Sequence, residues 1–186
     1  MIDTHAHLYD PHFLNEIDFH IAEIRASGVQ EVWMPNCDSE TWKDLKSVAS
    51  KYPDFAFPMI GLHPTYVKEN YVAELNYLST ILENQKVLAI GEIGLDYYWD
   101  TTFKKEQIIA FEMQCQWALE HKIWIDVHCR KAYSDLIMIL KKSECPTMVV
   151  ELGFLSNEKD KDYVNSEKGQ TEIANAILNF VSGLKK

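Results

Sequence analysis

The sequence predicts an α/β fold in which about six parallel βα units form an incomplete (β/α) barrel. Short runs rich in β-branched residues alternate with amphipathic stretches, the rhythm of a parallel sheet covered by helices. Side chains suited to chemistry stand at the predicted carboxyl ends of several strands, as in a barrel whose site lies on one face. Closing a barrel takes eight units and roughly 200 residues, and this chain has 186. An open, doubly wound sheet is the alternative fold.

The elements follow in order from these patterns. Strands are predicted where short apolar runs end at turn residues, namely at residues 1–4, 31–34, 55–60, 87–90, 123–127 and 147–150. Helices are predicted where apolar residues recur at helical spacing, namely at residues 13–27, 39–51, 73–83, 104–120, 132–141 and 170–181. Ile17, Ile21 and Ile24 define the apolar face of the first helix. Gly28 follows its end, and Ser39 is predicted to cap the second helix.

Charge and cysteine usage narrow the classes of function. The chain has 18 Lys and Arg and 28 Asp and Glu, which gives a formal charge of -10. This negative charge excludes nonspecific attraction of the protein to phosphate backbones. An anionic substrate would therefore need a bound metal ion. The four cysteines include no Cys-x-x-Cys pair, a pattern typical of reduced thiols. The first residues carry no basic segment, and no apolar run approaches the ~18 residues of a spanning helix. A cytoplasmic protein without a membrane anchor is expected.

The candidate metal ligands stand at four predicted strand ends. His5 and His7 follow the first strand, and residues two apart on a strand point the same way, so both imidazoles can serve one divalent ion. Glu92 follows the fourth strand between glycines, where small neighbours leave room and a carboxylate can bridge two ions. His63 follows the third strand and His128 the fifth. Each histidine alone is more often a simple hydrogen-bonded residue, but the combination favours metal ligation.

Four motifs together resemble the TatD-family metal-dependent hydrolases of the amidohydrolase superfamily. They are MIDTHAHL at residues 1–8, GLHP at 61–64, IGEIGLDYY at 90–98 and HCRKA at 128–132. The helix between the last two motifs carries Gln107, Phe111 and Ala118, as this family's helix does. The resemblance covers about residues 1–142.

The resemblance implies a TIM-type barrel with a two-metal site that hydrolyses phosphodiesters, often as a deoxyribonuclease acting on single-stranded or end-processed DNA. It implies Mg, Mn or Zn ions held by four ligands, with Glu92 bridging them and serving catalysis: His5, His7, Glu92 and His128. His63 and Arg130 then correspond to substrate or phosphate contacts, and the planar fork of an arginine suits two phosphate oxygens. The aromatic run at residues 97–99 either stacks bases or is buried.

The chain departs from this pattern after residue 142. The family's His-Cys-Phe-Ser type motif and late Thr-Asp segment are missing from the sequence. Instead, CPTMVVELGFLSN at residues 145–157 resembles the C-terminal end of zinc-dependent N-acetylmuramoyl-L-alanine amidases, which implies a catalytic role for Glu151. We therefore expect a TatD-like region at 1–142 and an amidase-like strand and helix at 145–186, packed in one domain. Glu151, at the end of the sixth strand, either offers a carboxylate to the second metal or is a solvated acid.

Three functions remain open from the sequence. The first is a two-metal phosphodiesterase, impaired by the missing barrel units. The second is an amidase fragment that acts on peptidoglycan. The third is a non-catalytic remnant that binds metal. The unpaired strand edges of an open barrel also predict self-association into a homo-oligomer.

Overall fold

The computed structural model describes residues 1–143 and 157–183, which belong to two compact units, Met1–Cys145 and Pro146–Lys186. The predicted strand at 147–150 and Glu151 lie outside the described residues. Among the helices of the described part, none combines the length and apolar character that a membrane crossing requires.

The first unit contains five parallel strands. They are β1 (Ile2–Asp3), β2 (Glu31–Met34), β3 (Ala56–Pro58), β4 (Ala89–Asp96) and β5 (Trp124–Arg130). One sheet has the order β1-β2-β3 and the other pairs β4 with β5. A single parallel bridge between Ile60 and Ile90 links the two sheets. All strand pairs are parallel and the order along the sheets follows the chain, as successive βα units require.

Helices follow the strands along the chain. The first unit contains α1 (Pro11–Leu14), α2 (Ile17–Ala26), α3 (Trp42–Lys51), α4 (Tyr71–Asn84), α5 (Lys104–His121) and α6 (Tyr133–Lys142), with a short 3-10 helix at Pro64–Tyr66. Each of α2 to α6 turns an apolar face inward, and this face meets the strands in one core that includes Val32, Leu45, Leu78, Ile90 and Phe111. The predicted alternation of strand and helix is confirmed for these five units.

Two glutamines of α5 fix the loops that lead into the candidate site. The Gln114 side chain accepts a hydrogen bond from the Leu62 N–H at 2.6 Å and donates to the Leu62 carbonyl, next to His63. The Gln107 side chain likewise pairs with both backbone groups of Asp96. Both amides are buried and fully paired. The buried face of α5 therefore orients two segments of the site as well as filling the core.

The structure corrects several predicted boundaries. The helix predicted at 13–27 is two helices, because the chain turns between Leu14 and Ile17. Ser39 does not cap α3; Thr41 occupies the N-cap position, and its hydroxyl bonds Asp38 and Asn36 instead. The strands predicted at 87–90 and 123–127 extend further, to Asp96 and Arg130.

The longer strands change the setting of two candidate ligands. Glu92 and His128 lie inside β4 and β5 rather than after their ends. The extension is possible because Gly94 pairs with His128, where a Cβ on Gly94 would lie 2.0 Å from the His128 carbonyl oxygen. Gly94 also has a φ of +141°, which favours glycine.

The second unit contains α7 (Glu158–Asn165) and α8 (Glu167–Gly183). Asn157 caps α7 by accepting hydrogen bonds from the backbone of Lys159 and Asp160. The Tyr163 hydroxyl donates to Glu172 of α8 at 2.7 Å. The helix predicted at 170–181 begins at Glu167, and α7 was not predicted from the sequence.

Candidate metal centre

Glu92 lies in a bulge of β4 that aims its carboxylate at the histidines. Ile90 pairs with Ile125 and Ile93 with Val127, so Gly91 and Glu92 together oppose Asp126 alone. Such an extra residue bends a strand and redirects a side chain. A Cβ on Gly91 would lie 2.6 Å from that of Asp126, so only glycine allows this close approach. The need for glycine beside Glu92 therefore follows from the pairing of β4 with β5.

The loops after β1 and β2 complete the frame around Glu92. His5 and His7 follow β1 within a short loop. Asn36, fully buried after β2, accepts a hydrogen bond from the Glu92 N–H and donates its own N–H to the Gly91 carbonyl. The backbone of Glu92 is thus held at the junction of the two sheets.

His5, His7 and Glu92 form the first donor group. Their ligand atoms all lie within 4.8 Å of one another. His5 Nε2 is 3.3 Å from His7 Nε2 and 3.4 Å from Glu92 Oε2. Two imidazole nitrogens and a carboxylate oxygen are donors that divalent zinc, manganese and related ions accept.

Hydrogen bonds on the far side of each imidazole fix the nitrogen that faces this group. The Tyr9 hydroxyl donates to the Pro35 carbonyl at 2.7 Å, so it accepts from His7 Nδ1 at 2.6 Å. The Nδ1 hydrogen leaves the Nε2 lone pair of His7 directed at the group. His5 Nδ1 lies 3.0 Å from Asp126 Oδ2, and a carboxylate in this position holds a hydrogen on Nδ1. Both Nε2 atoms are therefore oriented as ligands.

His63, Glu92 and His128 form the second donor group, which shares Glu92 with the first. His128 Nδ1 lies 3.0 Å from Glu92 Oε1, and His63 Nε2 lies 3.7 Å from the same oxygen. The rings of the two histidines meet edge to face, with centroids 4.5 Å apart. One oxygen of Glu92 therefore faces each group.

The two histidines of this group present different faces to Glu92. His63 Nδ1 accepts a hydrogen bond from the Thr65 N–H at 3.2 Å, so neutral His63 carries its hydrogen on Nε2. His128 Nε2 lies 2.9 Å from Asp96 Oδ2, so a neutral His128 with its hydrogen on Nε2 would present the Nδ1 lone pair on the side of Glu92. The second group thus offers one imidazole lone pair and one imidazole N–H.

The protonation of the centre follows from burial and charge. Burial alone would raise the pKa of the Glu92 carboxyl, but contacts with His128 and His5 outweigh it and hold this pKa well below its usual range. The hydrogen bond to Asp126, followed by that to Glu92, raises the pKa of His5 to about 10. Burial lowers the pKa of His63 to about 4 and also lowers that of His7. Burial opposes protonation of His128, but its hydrogen bonds to Glu92 and Asp96 outweigh burial and raise its pKa. The centre therefore combines an anionic carboxylate with two imidazoles that favour the neutral form, His7 and His63, and two that favour a positive charge, His5 and His128.

Three residues at the centre were not predicted from the sequence. Asp126 and Tyr9 orient the histidines of the first group, and Asp96 orients His128. Asp126 had a usable signal, since it is an acid in an otherwise apolar strand two residues before His128. Asp96 stands four residues after Glu92 in the same strand, hence on the same face.

Arg130 and Asp3 belong to neither donor group. Arg130 ends β5, two residues beyond His128, with its guanidinium over the Tyr98 ring at 3.8 Å. Asp3, which precedes the histidine pair, is exposed and accepts a hydrogen bond from the His5 backbone. Glu151 lies outside the described residues.

A family model described as TatD related DNase matches residues 2–157. The match extends beyond residue 142, where the TatD-like region was predicted to end, and it includes the position of Glu151. The prediction of a TatD-type region is confirmed. The amidase resemblance of residues 145–186 stays a prediction.

Curated relatives carry compatible descriptions. The uncharacterized metal-dependent hydrolase YabD of Bacillus subtilis (strain 168) is 32% identical over 142 residues, which cover 76% of this chain and 55% of YabD. The 3'-5' ssDNA/RNA exonuclease TatD of Erwinia tasmaniensis is 28% identical over 141 residues, which cover 76% of this chain and 54% of that protein. This chain therefore spans a little over half the length of these relatives.

Solved structures agree with the fold. The crystal structure of YJJV, a TatD homolog from Escherichia coli K12, superposes with a TM-score of 0.75 at 27% identity, covering 87% of this chain and 63% of that one. A TatD family hydrolase from Entamoeba histolytica gives a TM-score of 0.66 at 25% identity. With the parallel βα order described above, these neighbours confirm the prediction of an α/β fold of TIM-barrel type.

Proposed function

The chain belongs to the TatD related DNase family, and we propose that it is a divalent-metal-dependent phosphodiesterase acting on single-stranded nucleic acid. The observation that carries this proposal is the sharing of Glu92 between two groups of potential ligands. A carboxylate with one oxygen toward each group suits a pair of ions, the arrangement used for in-line displacement at phosphorus.

The proposed ligands are divided between two ions. His5, His7 and Glu92 hold one, and Glu92 with His128 holds the other. Imidazole and carboxylate together fit Mn or Zn, and Mg needs additional oxygen ligands from water. Bound ions of this kind supply a hydroxide at neutral pH and neutralise charge on the phosphoryl oxygens. Glu92 serves catalysis by holding both.

We assign His63 to substrate rather than to metal. Its Nδ1 accepts from the Thr65 N–H, so a neutral ring presents the Nε2 hydrogen to the centre. A hydrogen at that position can bond a phosphate oxygen but excludes a metal bond. Arg130, at the exposed end of β5, is the proposed second phosphate contact.

The substrate class follows from a relative's description and from charge. The Erwinia relative is named a ssDNA/RNA exonuclease. A chain with a formal charge of -10 needs bound cations to hold a polyanion near Glu92. We propose turnover below that of a relative that carries the family's His-Cys-Phe-Ser type motif, because residues 145–157 of this chain have a different sequence there.

Compartment and assembly are proposed on separate grounds. The described cysteines Cys37 and Cys129 are thiols, which fits a reducing compartment such as the cytoplasm.

Among the described residues, β1 and β5 each have one strand neighbour. We propose that these edges allow self-association.

The test combines metal counting with cleavage. Chelator-treated protein is reloaded with Mn²⁺, Mg²⁺ or Zn²⁺, its metal is counted by plasma mass spectrometry, and the same sample is incubated with end-labelled single-stranded DNA. We expect bound metal and metal-dependent cleavage for the parent and for Glu112→Gln, an exposed acid on α5, and neither for Glu92→Gln. Cleavage that persists in Glu92→Gln or in excess chelator would contradict the proposal.

A further inference from the structure

We propose that Tyr98 and Trp99 form a stacking platform for an unpaired nucleobase beside the metal centre. The platform consists of these two rings together with the cations of Arg130 and Lys131. The inference rests on the proposed function, since it names the part of a nucleic-acid substrate that this site would hold.

The two rings of the platform are exposed. Tyr98 is 45% exposed and Trp99 is 69% exposed, and the rings meet edge to face with centroids 4.8 Å apart. Tyr97 differs, because it is half-buried, packs against the core and donates its hydroxyl to Asp135 at 3.0 Å. Of the aromatic run at 97–99, only the last two rings are therefore available to a base.

Two cations lie against these rings. The Arg130 guanidinium is 3.8 Å from the centre of the Tyr98 ring and 5.1 Å from that of Trp99, and Lys131 Nζ is 4.8 Å from Tyr98. No described carboxylate lies within ion-pair distance of either cation. Lys131 also has a φ of +53°, an unusual conformation for a residue with a side chain. In an acidic chain, positive charge that no described carboxylate pairs favours a phosphodiester backbone passing the rings.

Asp96 fixes the platform to the metal centre. One carboxylate oxygen accepts hydrogen bonds from the backbone N–H groups of Tyr98 at 2.8 Å and Trp99 at 3.3 Å. The other lies 2.9 Å from His128 Nε2. Asp96 is 1% exposed, so this carboxylate has little freedom to move. A base on the platform would therefore have a defined position relative to His128.

The base would stack on the outer surface of the platform. The cavity beside Trp99, lined in part by Asp96 and Phe103, measures about 40 Å³. That volume holds roughly one water molecule and cannot admit a base. Stacking on an exposed ring tolerates any base, because every base has a π-face, so the platform suits substrate of varied sequence.

Binding without catalysis tests the platform. Fluorescence anisotropy in Mg²⁺ measures the affinity for a 5′-fluorescein octathymidylate with phosphorothioate linkages and for the same backbone built from abasic residues. Phosphorothioate linkages resist cleavage, and gel electrophoresis after the titration confirms that the strand is intact, so the bound ions are present and the result does not depend on whether the protein hydrolyses DNA. The hydrolysis assay with Mn²⁺ separately decides the proposed function.

We expect the parent to prefer the thymidylate, and Trp99→Ala to weaken its binding by about 5- to 150-fold, to the level of the abasic strand. Trp99→Phe should restore much of the preference, because it restores a stacking surface. Trp124→Ala is the matched control, since Trp124 is 76% exposed at the opposite end of β5. A parent without base preference or without binding, or a Trp99→Ala variant that keeps the parent's preference, would overturn the inference.

Discussion

The two donor groups that share Glu92 differ in how their histidines are held. In the first group, Tyr9 and Asp126 each accept the hydrogen of an Nδ1 atom, so two Nε2 atoms converge with the carboxylate. In the second group, Asp96 orients His128 in the same way, but the Thr65 N–H turns the His63 ring so that a hydrogen faces Glu92. Hydrogen bonds on the far side of the imidazoles thus make one group a complete set of three donors and the other a set of two.

The two groups should differ in their affinity for a divalent ion. In the proposed arrangement, the first group offers three protein donors to an ion, and the second offers two, Glu92 and His128, because His63 is assigned to substrate. The first ion should therefore bind more tightly, and the second should depend more on water and substrate oxygens. Substitutions that affect one group alone test this difference in affinity.

The largest effect is expected for Glu92→Gln, since Glu92 belongs to both groups. Replacing a carboxylate oxygen by an amide removes the charge that both ions share. We expect both affinities to fall by at least about 100-fold, because even residues that only support a ligand change affinity by 10- to 100-fold. Calorimetric titration with Mn²⁺ measures both, with Glu112→Gln as the control and circular dichroism as the check of folding. Retention of either ion at the parent's affinity would contradict the bridging role.

His7→Ala should remove only the tighter ion. It takes one of three donors from the first group and touches no atom of the second. His128→Ala is the reciprocal variant and should spare the tighter ion. The number of bound ions and the affinity of the remaining one are read from the same titration. His12→Ala, at an exposed histidine, is the control for the loss of an imidazole. If either variant lost both ions equally, the two groups would not be independent sites.

Asp126→Asn should weaken the first ion by about 10- to 100-fold, the range for residues that orient a ligand. An amide can no longer hold the Nδ1 hydrogen of His5 as a carboxylate does, so the Nε2 lone pair is less well fixed. Affinity for the second ion should not change. The exposed Asp162→Asn substitution is the matched control. If the affinity for the first ion did not change, Asp126 would have no influence on metal binding.

The smallest effect on metal binding is expected for His63→Ala, because its Nε2 carries a hydrogen. Both ions should bind as in the parent, and the cleavage of single-stranded DNA should fall. A loss of the second ion would show that His63 is a ligand, and the assignment from its contact with Thr65 would be wrong.

The main helices and strands, and the residue types of the candidate metal centre, could be predicted from the sequence. Helical spacing located α5 almost to the residue, and the histidine pair, Glu92 and His128 were found because such groups are unusual next to strands. The bulge that aims Glu92 was not predictable, since it depends on how β4 pairs with β5. His63 and His128 differ in which ring nitrogen faces Glu92. This difference depends on their hydrogen bonds to the Thr65 backbone and to the Asp96 side chain, which could not be predicted from the sequence around each histidine.

Calorimetric titration of the chelator-treated parent with Mn²⁺ shows whether the two groups hold two ions with unequal affinity. We expect two binding events, a tighter one abolished by His7→Ala and a weaker one abolished by His128→Ala. A single event, or two events of equal affinity that both variants reduce alike, would contradict it.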